Sequence, residues 1–353
     1  MSVPVFPLYR GLQAPLAPNP GAMHLGLWFE RFFHGYENDF AAVNTEGRSA
    51  WLRQFDLKQV GTRSELQAKA EKIQQLAASQ GGQARIYQCT APFVTGMGNP
   101  HPLENGFTWH PTLGMPYLPG SAVKGLVRAA VELAYQGEDK PALLKRWFGT
   151  EAKGDVPEAS GSFIFLDALP VEPCALVPEV MTPHMGKWYE KGGGDKKKDK
   201  TVPLANDTLP GDWHSPVPVG YLTARDLHLQ FAVMPRPGVA AEALELVWQA
   251  LDYALQWLGA GGKTAQGFGT MQSQAALLSQ SEEKWEGARP KFNRANGSLT
   301  VEKNGKAAIA LPPKGEALLQ TLPADQQQKI KTNQFVKLTA YVAEGVLVRV
   351  EKA

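Results

Sequence analysis

The alternation of two hydrophobic periods along the chain constrains its fold most. Ala84–Thr90 reads as a short strand, and a helical pattern follows over about 120–135. In that helix Val123, Leu126, Val127, Ala130, Val131 and Ala134 fall on one face. Gly161–Leu166 then reads as a buried strand through Phe163, Ile164 and Phe165. The same order repeats. Asp226–Met234 alternates, with Leu227, Leu229, Phe231 and Val233 on one side, which predicts a half-buried strand. A helix over 240–258 carries the core stripe Leu244, Val247, Trp248, Leu251, Leu255 and Leu258. A last strand is expected over roughly 268–278. Strand, helix, strand, twice over, is the pattern of an α+β, ferredoxin-like (RRM-like) domain.

That domain is expected over 85–280, with long insertions. Before it, 1–84 reads as an extended arm and helices packed on the core. Trp28, Phe29, Phe32, Phe33 and Tyr36 show helical spacing and belong inside. A second helix over 62–79 turns Leu66, Ile73 and Leu76 inward. Leu176–Met181 reads as a strand or a loop. Residues 91–116 form a long loop rich in Gly and Pro; loops of that length are usually functional or disordered, and the aromatic and apolar content of this one argues against disorder. An insertion near 186–218 holds six lysines within 187–200, against Glu190, Asp195 and Asp199. Two readings fit it: a solvated excursion, or a basic arm tracking nucleic acid through Lys196, Lys197, Lys198 and Lys200. Residues 281–297 look like a charged linker. Asn304-Gly305 between two apolar runs signals a hairpin, so 298–353 is expected to be a small β-module, OB-like in character.

With 353 residues and a net charge of +2, anion binding must come from local patches. Cys89 and Cys174 are the two cysteines and lack metal-ligand spacing, which suits a reducing compartment. The seven histidines form no helix-borne metal pair, so no metal and no cofactor are expected. No apolar run reaches membrane-spanning length, and Met-Ser-Val-Pro lacks the basic flank of a signal peptide. A cytoplasmic protein without a membrane partner is the expectation.

Two stretches carry candidate chemistry. Gly259–Gly269 contains Gly262-Lys263-Thr264, but the Walker pattern needs a glycine where Trp257 stands, and the stretch follows a helix rather than a strand. A phosphate-binding P-loop is therefore rejected. What remains is a backbone-exposed loop with one cation, able to approach a phosphodiester chain closely. Tyr117–Arg128 is the other stretch. Pro119-Gly120-Ser121 is read as supplying the helix N-cap, and Lys124 and Arg128 stand one turn apart. Like charges at that spacing cost a few tenths of a kcal/mol, and Gly125 within a helix costs about 1 kcal/mol against Ala. The alternatives are an anion-facing surface and a solvated face whose glycine meets a close packing contact. His101 and His110 share the long loop and are acid–base candidates.

The motif set is ordered: His101-Pro102-Leu103-Glu104-Asn105-Gly106-Phe107 with Tyr117–Arg128, Val180-Met181-Thr182-Pro183-His184, Asp212-Trp213 with Pro216-Val217-Pro218, and Gly261–Gly269. Over about 85–280 it resembles the RAMP superfamily of CRISPR RNA-binding proteins. Within that superfamily it is similar to the subunit that caps the guide-RNA 3′ end in type III-B (Cmr) effector complexes. The resemblance implies a non-catalytic RNA-binding role. Guide RNA, target RNA and other RAMP subunits are the implied partners. Contacts are implied at Gly261, Gly262, Lys263, Thr264, Gly267 and Phe268, with Lys124 and Arg128 beside them. The alternatives are a RAMP endonuclease processing precursor guide RNA through a histidine, and a scaffold subunit with little RNA contact.

Overall fold

The structure is a computed structural model and describes residues 24–37, 40, 42–152, 157–183, 186, 188, 209, 214–274, 283–294, 297–311, 314–332, 334–343 and 346–352. The lysine run Lys196, Lys197, Lys198 and Lys200, the arm 1–22 and the motif residues His184, Asp212 and Trp213 lie outside them. The chain divides into two compact units, Met1–Gln272 and Ser273–Ala353.

In the first unit, α1 (Leu25–Arg31) and α2 (Thr45–Arg53) begin at side-chain caps. His24 Nδ1 accepts from Leu27 N–H at 3.0 Å, and Asn44 Oδ1 accepts from Glu46 N–H at 2.7 Å. Strand β1 (Lys58–Val60) and helix α3 (Arg63–Ser79) lead into β2 (Gln83–Cys89). The 91–116 loop follows, then α4 (Gly120–Ala134) and α5 (Lys140–Phe148). Short strands β3 (Gly149–Thr150), β4 (Ala159–Ser160), β5 (Phe163–Phe165) and β6 (Leu169–Pro170) come next. Then β7 (Cys174–Met181), β8 (Val219–Arg225), β9 (His228–Pro235), α6 (Ala241–Tyr253) and β10 (Met271–Ser273) complete the unit.

The main sheet runs β10-β2-β9-β5, with β6 also on β9. Among its long-path strands that is fourth, first, third, second, with α4 and α6 as the two crossovers. β9 is antiparallel to both neighbours, with Gln83 opposite Val233 and Phe163 opposite Pro235. A second sheet, β1-β7-β8, pairs Ala175 with Arg225 through Met181 with Val219. Strand β8 has no counterpart in the sequence reading, because its burial is nearly continuous and prolines crowd the approach to it. The insertion therefore leaves and rejoins the fold at two paired residues, Met181 and Val219.

Leu229, Phe231 and Val233 of β9 join a core with Val123, Val127, Val131, Val247, Trp248, Leu251 and Leu255. The expectation of a half-buried strand needs correction. Ala232 and Met234, on its other face, are covered by Ile73 and Ala77 of α3 with Leu169. Both faces are dry because α3 lies where solvent was expected. On α3 itself Ala77 points inward while Leu76 is 48% exposed. Trp28, Phe29 and Phe33 are buried and meet Trp51, Phe55 and Trp109 in tilted and edge-on contacts.

The second unit is a closed barrel. Its strands are β11 (Glu283–Asn293), β12 (Ser298–Lys303), β13 (Lys306–Ala310), β14 (Leu338–Ala343) and β15 (Val346–Lys352). They close in the order β11-β12-β13-β15-β14, with α7 (Lys314–Gln320) and α8 (Ala324–Lys331) between β13 and β14. Asn304 and Gly305, both at positive φ, make the expected tight turn. The linker reading of 281–297 is overturned, because β11 occupies most of it and pairs with both β12 and β14. Its charges sit on the outer face while Trp285 and Ala288 point inward. The register shift between Trp285 and Ala288, with Gly287 at φ +69°, breaks the period-two signal that would have revealed the strand.

Candidate nucleic-acid interface

Helix α6 does not stop cleanly. Its last turn widens into a π-turn over Ala254–Leu258, and Gly259 at φ +74° takes the chain out of it. Trp257, on that turn, is 66% exposed. The following loop is pinned mainly through its backbone, with Thr270 Oγ1 also donating to Gly267 O at 3.2 Å. Gly262 N–H donates to Val94 O at 2.7 Å, Gly269 N–H to Pro92 O at 2.8 Å, and Ala260 N–H to Gly269 O at 2.9 Å. Glycine is obligatory at Gly261 and Gly269. Each has φ in the left-handed region, and a Cβ there would run into Val94 O or Ala260 O.

Lys263 also lies in the left-handed region, at φ 58°, where a side chain is disfavoured. One turn of 3-10 helix, Thr264–Gln266, follows it. The N–H groups of Lys263, Thr264 and Ala265 donate to no protein acceptor among the described residues. The Lys263 ammonium sits 4.9 Å from the centre of the Tyr221 ring, a contact of about 0.5–1 kcal/mol that leaves its charge available. Burial, then Glu179, raises the Tyr221 phenol above its ordinary range, so the ring stays neutral. Phe268 is half-buried against the core, and beside Gly267 there is open space. The loop thus shows backbone, one cation and no bulky side chain.

Lys124 and Arg128 are placed by α4. Within the expected Pro119-Gly120-Ser121, the N-cap position is Pro119, and it offers no side-chain acceptor. The Asp167 carboxylate supplies the cap from a distant loop, accepting from Gly120 N–H at 2.7 Å. Gly120 has no room for a Cβ, which would strike Phe165 O. Gly125, in contrast, faces open space, so no packing contact among the described residues requires it. Arg128 bonds Glu132 at 2.8 Å on an exposed helix face, a pair worth a few tenths of a kcal/mol. Lys124 and Arg128 line a cavity of about 870 Å³ with Lys145, Phe148 and Arg236. No residue of 259–269 is among its walls. The cavity brings two of the expected cations together and adds two others, while Lys263 stands over Tyr221.

Sequence reasoning missed Lys145, Arg236 and Tyr221, as well as the Pro92–Val94 ledge. Only Lys145, in the last turn of a short helix, had a local signal. The others become partners through pairing of segments far apart in sequence.

The histidines of the long loop are engaged. His101 Nε2 bonds Phe29 O at 2.9 Å, Nδ1 accepts from Leu103 N–H at 3.1 Å, and the ring stacks on Phe29 with centroids 4.3 Å apart. Burial holds it below the ordinary imidazole range. His110 Nδ1 accepts from Leu113 N–H at 3.2 Å, and burial, with Lys69 adding to it, lowers its affinity for a proton. Among the described residues, no group of three His, Cys, Asp or Glu could hold a metal, and no helix is long and apolar enough to cross a membrane.

A sheet covered by helices on both faces, with a pinned, backbone-presenting loop at one edge, defines an α+β domain. A sequence profile described as the RAMP superfamily matches residues 87–272, more than half of the chain. The chain belongs to that superfamily. It is similar to CRISPR system Cmr subunit Cmr6 of Pyrococcus furiosus, 27% identical over 238 residues, covering 52% of this chain and 66% of that one. It is also similar to CRISPR system CMR subunit Cmr6 of Saccharolobus solfataricus, 31% identical over 96 residues, covering 27% of this chain and 30% of that one. The chain thus spans less than two thirds of the length of either relative. Among solved structures, a chain of type III-B Cmr-beta bound to cognate target RNA matches with TM-score 0.40 and 20% identity, covering 60% of this chain and 64% of that one. The crystal structure of Cmr6 from Pyrococcus furiosus matches with TM-score 0.31 and 24% identity, covering 54% of this chain and 97% of that one.

Proposed function

We propose that this protein is a non-catalytic RNA-binding subunit of a type III-B CRISPR effector ribonucleoprotein, capping its backbone near the guide-RNA 3′ end. The observation that carries the reading is the glycine-rich loop, pinned to Pro92–Val94 and holding Lys263 left-handed with open space beside Gly267. Membership of the superfamily and similarity to Cmr6 sequences support the assembly. The strand order fourth, first, third, second supports a ferredoxin-like core. Phosphate contacts by Lys263, Lys124 and Arg128 position RNA without reading its sequence. Partners are guide RNA, target RNA and other RAMP subunits, in the cytoplasm. The processing-endonuclease alternative is disfavoured by His101, whose two ring nitrogens are already committed to backbone groups.

The test is single-stranded RNA binding by the full chain and by a Lys124→Ala/Arg128→Ala/Lys263→Ala variant, across a salt series. The variant is expected to keep its fold and to bind all sequences more weakly. Its log–log salt slope should flatten by roughly 0.7 for each phosphate that the variant no longer neutralises. An unchanged slope removes these residues from the interface. Cleavage of repeat RNA that is abolished by changing His101 moves the protein to the endonuclease class.

A further inference from the structure

The barrel closes in an order, first-second-third-fifth-fourth, that an OB-like fold requires, with its first and fourth strands paired. Its interior is filled by its own core, Trp285, Leu299, Val301, Leu338, Leu347 and Val350 among others. The unusual features are outside. Phe335 is 67% exposed, and the Arg289 guanidinium lies 4.9 Å from its ring centre. Register places Lys291 opposite Thr300, and Thr300 opposite Ile309, in one outward row. Lys331 and Phe335 approach this row from the end of α8, and together they line an open groove of about 1300 Å³.

Charge singles out the same unit. Residues 273–353 carry 12 Lys and Arg against 8 Asp and Glu, a net of +4, while the whole chain is only +2. The rest of the chain is therefore net acidic. Along the groove Arg289, Lys291, Arg294 and Lys331 face a single carboxylate, Glu302, which Lys291 engages at 2.8 Å. Among the described residues no carboxylate pairs with Arg294 or Lys331.

We infer that the C-terminal barrel carries a second, sequence-tolerant binding groove for single-stranded nucleic acid, with Phe335 as a base-stacking platform and Arg289, Arg294 and Lys331 along the phosphates. An exposed ring stacks only on bases not already paired, which selects a single strand over a duplex. A strand of cations beside it serves the backbone, and one OB-like barrel commonly covers several nucleotides. The groove is independent of the glycine-rich loop, so the chain holds RNA at two places on one subunit.

The experiment is photocrosslinking of the full chain to an oligouridylate of about 10 nucleotides carrying 4-thiouridine, a length within the OB range. Peptides from 289–294 and 331–336 are expected among the crosslinked products. They should persist in the Lys124→Ala/Arg128→Ala/Lys263→Ala background, so that failure of either surface is read separately. Phe335→Ala should lower barrel crosslinking about fivefold or more, while Phe335→Trp retains it. Arg294→Glu serves as the second variant and is expected to act in the same direction with an unchanged circular dichroism spectrum. Absence of barrel peptides, or equal yield from Phe335→Ala, overturns the inference. Displacement of the oligonucleotide from the barrel by polyglutamate, but not by unlabelled single-stranded RNA, also overturns it and identifies an acidic protein segment as the occupant.

Discussion

At the scale of single residues, five loop positions look alike in sequence and differ in what the backbone demands. Gly267 has φ +84° but open surroundings, whereas Gly261 and Gly269 combine positive φ with a carbonyl where a Cβ would sit. Gly267→Ala should therefore cost about 1–2 kcal/mol, the left-handed penalty alone. Gly269→Ala should cost clearly more, because its Cβ meets the Ala260 carbonyl. Thermal denaturation of the two variants checks the ranking. Lys263→Gly is expected to be near neutral, since relief of about 1–2 kcal/mol of left-handed strain offsets the greater unfolded-state freedom of glycine. The same change should weaken RNA binding, which separates the role of the charge from that of the backbone.

At the scale of elements, α4 shows how a helix start can be built from outside. Neither Pro119 nor Ser121 caps it; Asp167 does, and Gly120 lets the helix press against Phe165–Asp167. One turn on, Gly125 faces open space beside Lys124 and Arg128. Gly125→Ala is expected to stabilise the free protein by about 1 kcal/mol, the helix propensity difference. If the face accepts a closely approaching partner, the same variant should bind RNA or assemble less well despite its higher melting temperature. Unaltered binding and assembly with the stability gain would leave this face as plain solvated surface.

At the scale of the whole molecule, the two units have separate cores, and the start of the second lies earlier than a linker reading allows. A fragment of residues 273–353 should fold cooperatively. One beginning at 298 should not, because without β11 the barrel loses the strand that joins β12 to β14. Circular dichroism melts of the two fragments decide this. A cooperative transition in the shorter fragment would show that β11 is dispensable.

The sequence by itself determined the helices α4 and α6, the strands β2, β5 and β9, the hairpin at Asn304-Gly305 and the glycine-rich loop. These signals are local: a repeating apolar face, a turn dipeptide, a cluster of glycines. Tertiary structure alone decided the rest. It buried the second face of β9 under α3, made a strand of the charged stretch 283–293, placed Tyr221 beneath Lys263, and put Arg236 on the same cavity as Lys124. It also committed His101 to the backbone of Phe29. Each of these depends on residues brought together from segments far apart in the chain. No single-window periodicity encodes which face a neighbouring element will cover, or whose carbonyl will wait where a glycine leaves room.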